Sequence, residues 1–174
     1  MAANNSDLIA QKQKLRKQAL SRRKVCHEKD REAASAMLVS QWRVLSEMMP
    51  IPKGRVGVYV AAGSEIDPMA LMQSLAQKGY ALALPVTKSD GSVMSFRSFR
   101  LGDKLVEGGF GMKEPSASEP NVELDMVILP LLGFDATGTR LGRGGGHYDR
   151  FLAAARARQT IAAIGLAYEA QFCS

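Results

Sequence analysis

The apolar run Met126-Val127-Ile128-Leu129-Pro130-Leu131-Leu132 leads through five residues into Gly138-Thr139-Arg140-Leu141-Gly142-Arg143-Gly144-Gly145-Gly146-His147-Tyr148-Asp149-Arg150. Phe151-Leu152-Ala153-Ala154-Ala155 follows at once. In that order the pattern predicts a buried strand, a glycine-dense loop and a helix. The loop packs five glycines and three arginines into thirteen residues. Glycine admits positive φ and lets a ligand approach the backbone amides. Arginine supplies planar, permanently charged donors that match phosphate and carboxylate oxygens. A strand, a Gly/Arg loop and a helix N-terminus together make an anion site. Two common phosphate loops are excluded. No Gly-Lys-Ser/Thr closes this one, and counting from Gly142 and Gly144 the third position of Gly-x-Gly-x-x-Gly is His147.

The rest of the chain supplies elements for such a loop to join. Leu8, Leu15 and Ala19 share one helical face, which predicts a helix over about 7–24. Lys12 and Arg16 are four apart on it, so they can address one anion. A second helix is expected over about 29–48, carrying Ala33, Met37, Val44 and Met48 and ended by Pro50 and Pro52. Trp42 on it reads as a packing residue. Arg55–Val60 reads as a buried strand, and Asp67-Pro68 as the start of a helix that Gly79 stops. Tyr80–Leu84 is a strand closed by Pro85, Val93–Phe99 an exposed or antiparallel strand, and 101–121 irregular. Met126–Leu131 is expected as the central strand, 147–157 as a helix and Thr160–Leu166 as a further strand. Strands alternating with helices predict an α/β layer fold with a largely parallel sheet.

The chain has 174 residues and a net charge of +6, unevenly spread. Residues 12–31 hold nine Lys/Arg against Glu28 and Asp30. Such a segment serves as a solvated helix face, a nucleic-acid arm or one wall of an anion site, and composition leaves the three open. No aromatic residue precedes Trp42, so a base-stacking surface there is poorly supported. No run of 18 apolar residues suggests a membrane span. Cys26 and Cys173 lack metal-ligand spacing and read as free thiols in a reducing cytoplasm.

The residues Leu129-Pro130-Leu131-Leu132-Gly133-Phe134-Asp135 and Gly138-Thr139-Arg140-Leu141-Gly142-Arg143-Gly144-Gly145-Gly146-His147-Tyr148-Asp149 resemble the signature of the 5-formyltetrahydrofolate cyclo-ligase family. Lys12-x-x-x-Arg16, Glu65-Ile66-Asp67, Phe110-Gly111-Met112-Lys113-Glu114-Pro115, Gly165-Leu166-Ala167-Tyr168 and Gln171 extend the resemblance along most of the chain. His147 departs from the tyrosine common at its position. The resemblance implies a three-layer α/β/α architecture and one domain, 1–174, short at the C-terminus, where the family pattern continues to an aspartate implicated in metal binding. It implies ATP- and Mg²⁺-dependent closure of 5-formyltetrahydrofolate to 5,10-methenyltetrahydrofolate, in the cytoplasm and by a monomer, with folate and ATP as its partners rather than membrane or nucleic acid. The residues it assigns to ATP are Lys12, Arg16, Arg140, Leu141, Gly142, Arg143, Gly144, Gly145, Gly146, His147 and Tyr148. Those it assigns to folate are Val60, Glu65, Arg143, Gly144, Gly145, Gly146 and His147. Arg143 and Lys12 are the expected catalytic pair, and Asp149 the expected Mg²⁺ ligand. Taken without the family, Asp149 suits a helix first turn, Glu65 a solvated loop and Val60 plain core packing. The competing expectation is a basic nucleotide- or RNA-binding module on the same fold, without turnover.

Overall fold

A computed structural model describes residues 5–48, 54–88 and 90–173. The first element, α1, is one helix of 44 residues, Asn5–Met48, not two. No glycine or proline interrupts Lys24–Lys29, so nothing in the backbone forces a break. Pro50 and Pro52 lie outside the described residues. Trp42 anchors α1 in the core, edge-on to Tyr80 with ring centroids 6.1 Å apart.

Strand β1 is Arg55–Gly57, and Val58 extends its ladder by donating to the Ala83 carbonyl at 2.9 Å. Helix α2, Met69–Gln77, starts where Asp67 Oδ1 accepts from the Met69 amide at 2.9 Å. It stops where Gly79 takes φ +86. There the Gly79 amide reaches the Ala76 carbonyl and the Tyr80 amide the Leu75 carbonyl, the paired bonds of a Schellman end.

Strand β2, Ala81–Val86, runs through Pro85 rather than ending before it. Ala81 and Ala83 turn their bonds toward β1, and Pro85 has the same parity. The N–H that proline lacks would therefore face β1, so the pairing with β1 stops at that level while β2 continues on its pairing with β3. Strand β3, Ser95–Phe99, pairs antiparallel with β2. The stretch 101–121 is not wholly irregular: β4, Leu105–Glu107, and β5, Lys113–Pro115, form a small antiparallel pair around a turn at Gly109–Gly111.

Strand β6 is Met126–Pro130. Gly133–Phe134 (β7) and Arg140–Leu141 (β8) form a short hairpin that the sequence pattern did not announce. Helix α3 is His147–Arg156, and β9 is Ala162–Leu166. The main sheet has the order β3-β2-β1-β6-β9, parallel except at β3. The central strand is therefore β1; β6 lies beside it, fully buried as expected up to Pro130.

Alternation along the strands feeds two cores. Val56, Val58, Met126 and Ile128 pack with Trp42 and α2, whereas Ala83, Phe96, Val127 and Leu129 pack with Leu152 and Ala155 of α3. Helices on both faces of one sheet give the three-layer α/β/α architecture. Each large aliphatic side chain so buried contributes roughly 1.5–3 kcal/mol.

Candidate functional site

The sheet reverses direction of winding between β1 and β6. From β1 the chain passes through α2 to β2 and β3; from β6 it passes through α3 to β9 on the other side. Open α/β sheets bind ligands at the carboxyl ends of their strands at such a switch point. The segment after β1 brings Ser64 and Glu65 there. The segment after β6 brings the Leu131 carbonyl and the Gly/Arg loop.

Glu65 is buried, only 4% exposed, which excludes a solvated loop glutamate. Its Oε2 accepts from the Ala62 amide at 3.0 Å. Its Oε1 lies 3.7 Å from Arg23 Nη1 and 3.9 Å from Arg143 Nη1. The Tyr59 hydroxyl beneath donates to the Ile66 carbonyl at 2.8 Å. Burial first, and then the Glu65 charge, push the Tyr59 and Tyr148 phenols well above the ordinary tyrosine range, so both remain neutral O–H groups. Val60 is half-buried and packs against the core cluster on the α1 and α2 side.

The loop is built on the β7–β8 hairpin. Asp135 Oδ1 accepts from the Thr137 and Thr139 amides at 2.9 and 3.0 Å, which fixes the turn. The Thr137 hydroxyl above all holds the Asp135 carboxyl below the usual carboxylate range. Arg140 leaves this hairpin and ion-pairs with Asp149 in the first turn of α3, with the Tyr148 ring centroid 5.8 Å from its guanidinium carbon. Leu141 closes the hairpin, its carbonyl taking the Leu132 amide at 2.8 Å. Gly144 and Gly146 take φ +109 and +63, conformations that L side chains rarely adopt. Arg150 donates to the Gly145 carbonyl at 2.9 Å and lies 3.4 Å from His147 Nδ1. His147 thus packs at the helix start, with the Phe110 ring edge-on at 5.6 Å.

Helix α1 closes the site from outside the sheet. Arg16 Nε donates to the Gly142 carbonyl at 3.0 Å and lies over Gly144. Lys12 is one turn earlier and exposed. The structure therefore brings Arg16, Glu65 and the whole loop 140–149 together, with Lys12 at the margin.

Arg23 is the residue that the sequence pattern missed. It is 2% exposed, seven positions after Arg16 on the same helix face. It also stands four residues after the buried Ala19, so it continues the face that Leu15 and Ala19 begin. Phe110 is a second residue to which the sequence pattern gives no role. It is 66% exposed and the one described non-glycine residue with positive φ, at 58.

For a metal, the protein offers little but Asp149. Its side chain is 73% exposed, with one oxygen engaged by Arg140. Among the described residues no group of three or more His, Cys, Asp or Glu side chains could hold an ion. One carboxylate fits Mg²⁺ when substrate phosphates and waters fill the other positions. Cys26 and Cys173 are both free thiols, as expected, and Arg22 Nη2 lies 3.6 Å from Cys173 Sγ.

Residues 8–174 match the model of the 5-formyltetrahydrofolate cyclo-ligase family. Over 117 residues the chain is 36% identical to a 5-formyltetrahydrofolate cyclo-ligase of Mycolicibacterium smegmatis, covering 63% of this chain and 60% of that one. Over 121 residues it is 35% identical to the Haemophilus influenzae protein of the same name, covering 67% and 64%. The chain thus spans about 60% of the length of these curated relatives. Among solved structures it is similar to the 5,10-methenyltetrahydrofolate synthetase of Aquifex aeolicus. That match has a TM-score of 0.73 and 30% identity, covering 92% of this chain and 79% of that one. The fold alone is shared with the Mycoplasma pneumoniae synthetase, at a TM-score of 0.65, 22% identity and coverage of 94% and 88%.

Proposed function

The chain belongs to the 5-formyltetrahydrofolate cyclo-ligase family, and from that premise we propose that it converts 5-formyltetrahydrofolate to 5,10-methenyltetrahydrofolate at the expense of ATP. The observation that supports this reading best is the convergence of Arg16, Arg140 and Arg143 around a glycine loop, beside the buried Glu65. Cations and bare amides on one side suit phosphates. A buried carboxylate on the other suits the N–H edge of a pterin.

The formyl oxygen is a poor leaving group. Its attack on the γ-phosphorus expels ADP and leaves a phosphorylated oxygen. The neighbouring folate amine then attacks the activated carbon, the ring closes, the amine proton is lost and phosphate departs. Phosphoryl transfer asks the protein for alignment and charge neutralisation more than for covalent help. We assign that role to Arg143 and Lys12. Arg16, Arg140 and the residues 141–148 take the nucleotide, and Glu65, Val60 and 143–147 border the folate. Asp149 would hold Mg²⁺, which when bound supplies further neutralisation of phosphate charge. To do so, Asp149 would share its carboxylate with Arg140 or release that arginine to a phosphate.

We place the protein in the cytoplasm, where both thiols stay reduced, acting as a monomer. Among the described residues no helix is long and apolar enough to cross a membrane. The rival reading, a basic binding module without turnover, gains no support from the family. Incubation with 5-formyltetrahydrofolate and MgATP, followed by absorbance of the methenyl product, tests the proposal. Product should form only when ATP and Mg²⁺ are both present. Equal product with ATP omitted or with excess chelator would overturn it.

A further inference from the structure

Arg23 is a charge buried on a helix that is otherwise mostly solvated. Its Nε donates to Ser64 Oγ at 3.1 Å and its Nη1 to the Leu131 carbonyl at 3.2 Å. The same Nη1 faces Glu65 Oε1 at 3.7 Å. One guanidinium therefore joins α1, the segment after β1 and the end of β6. Burying it is costly unless every partner is present. Burial pushes its pKa down and the Glu65 carboxylate opposes that, from a range so high that the charge is kept.

The second cation on Glu65 is of a different kind. Arg143 is 65% exposed, on a glycine loop, and reaches the same Oε1 from outside. Once Arg143 turns to an arriving phosphate, Glu65 loses one neutralising partner. Arg23 cannot follow, because Ser64 and Leu131 hold two of its nitrogens. Tyr59 and Tyr148 are the other titratable groups facing Glu65, and both remain neutral.

We propose that Arg23 is a positioning residue of the folate pocket: it holds the Glu65 carboxylate in place, and so leaves Arg143 free to exchange that carboxylate for the nucleotide. The division of labour follows from exposure. The buried arginine is the permanent partner and the exposed one the exchangeable partner. Truncating Arg23 leaves Glu65 paired only with Arg143, which then serves two anions at once.

This inference rests on the folate reading of Glu65, and the experiment separates the two. Binding of 5-formyltetrahydrofolate without ATP, and of MgATP without folate, is measured by calorimetry. The proteins are wild type, Arg23→Gln, Arg23→Lys, Glu65→Gln and the double variant Arg23→Gln/Glu65→Gln. Arg23→Gln should weaken folate binding about tenfold or more, since Glu65 then loses a buried cation 3.7 Å away. It should weaken MgATP binding alone by clearly less, because Arg143 then leaves Glu65 without a cation when it turns to a phosphate. Arg23→Lys should fall between, since an ammonium keeps the charge without the fork. The double variant should be hardly worse than Glu65→Gln, because both changes break one pathway.

Wild-type folate affinity in Glu65→Gln would sink the folate reading and this inference with it. A weak Glu65→Gln beside an unaffected Arg23→Gln would overturn the inference alone. So would losses that multiply in the double variant, or equal weakening of folate and MgATP. If Arg23→Gln does not fold, Arg23→Lys decides: selective loss of folate affinity supports the proposal and an unselective or absent loss overturns it.

Discussion

Arg140 and Arg143 leave one loop and meet different carboxylates, Asp149 at the surface and Glu65 in the interior. For an arginine that meets a transition-state charge, the usual loss on truncation is on the order of 10²–10³ in kcat. Arg143→Ala should therefore lower kcat/KM by about that much. Arg143→Lys should recover only part, since a point charge does not replace a planar donor pair. Steady-state kinetics at saturating MgATP check this, and wild-type values in the alanine variant would show a mere surface charge. These two arginines were legible because glycines interleave them. Glu65 was legible only through its family motif, since nothing in Ser64-Glu65-Ile66 foretells that the carboxylate is buried. Arg23 was hidden because it stands among other cations, and burial is decided by what packs on a helix face rather than by composition.

At the scale of elements, α1 has two tasks along one rod. Its end at Trp42 packs on the core, and its earlier turns present Arg16 and Arg23 to the switch point. Lys12→Ala and Arg16→Ala should each raise the KM for ATP well above any change in the KM for folate. Lys24→Ala, exposed on the same helix, should do little. An RNA arm would instead show near-equal losses of RNA affinity at Lys12, Lys14, Lys17, Arg22 and Lys24, with steep salt dependence. Filter binding beside ATP kinetics separates the two patterns. The elements with strong local chemistry were legible: the Asp67-Pro68 start, the Gly79 stop, the β-branched β1 and the apolar β6. Pro85 misled because a proline reads as a strand end, whereas it ends only the pairing on the side its missing N–H would face, and β2 keeps β3 on the other. The β4–β5 and β7–β8 pairs were missed because two- and three-residue strands have too few side chains to show a period.

For the whole molecule, the site is assembled from three distant stretches of chain, so a ligand that bridges them stabilises the fold. MgATP at about a hundred times its Kd contributes about 2.7 kcal/mol by mass action. In a domain of this size that raises Tm by roughly 5–10 °C. Thermal scans with and without MgATP test it. Arg16→Ala should shift less at the same nucleotide concentration, and no shift in wild type at millimolar MgATP would count against a nucleotide site here. The doubly wound order that creates the site was legible as alternating strands and helices. The place of β1 rather than β6 at its centre was not, because alternation alone does not set the order of strands in space.

The Leu131 carbonyl accepts from Arg23 on one side and from Gln171 Nε2, at 2.8 Å, on the other. Gln171 also takes the Tyr168 amide through its Oε1 at 2.9 Å and gives a second bond to the Leu132 carbonyl at 3.1 Å. A helical turn near residue 23 and a turn near residue 171 are thus clasped on a single oxygen. Such a shared acceptor makes the two segments one cooperative unit of opening. In native-state hydrogen exchange, amides flanking Arg23 and the Phe172 and Cys173 amides should therefore lose protection together under rising denaturant, and Gln171→Leu should loosen both at once.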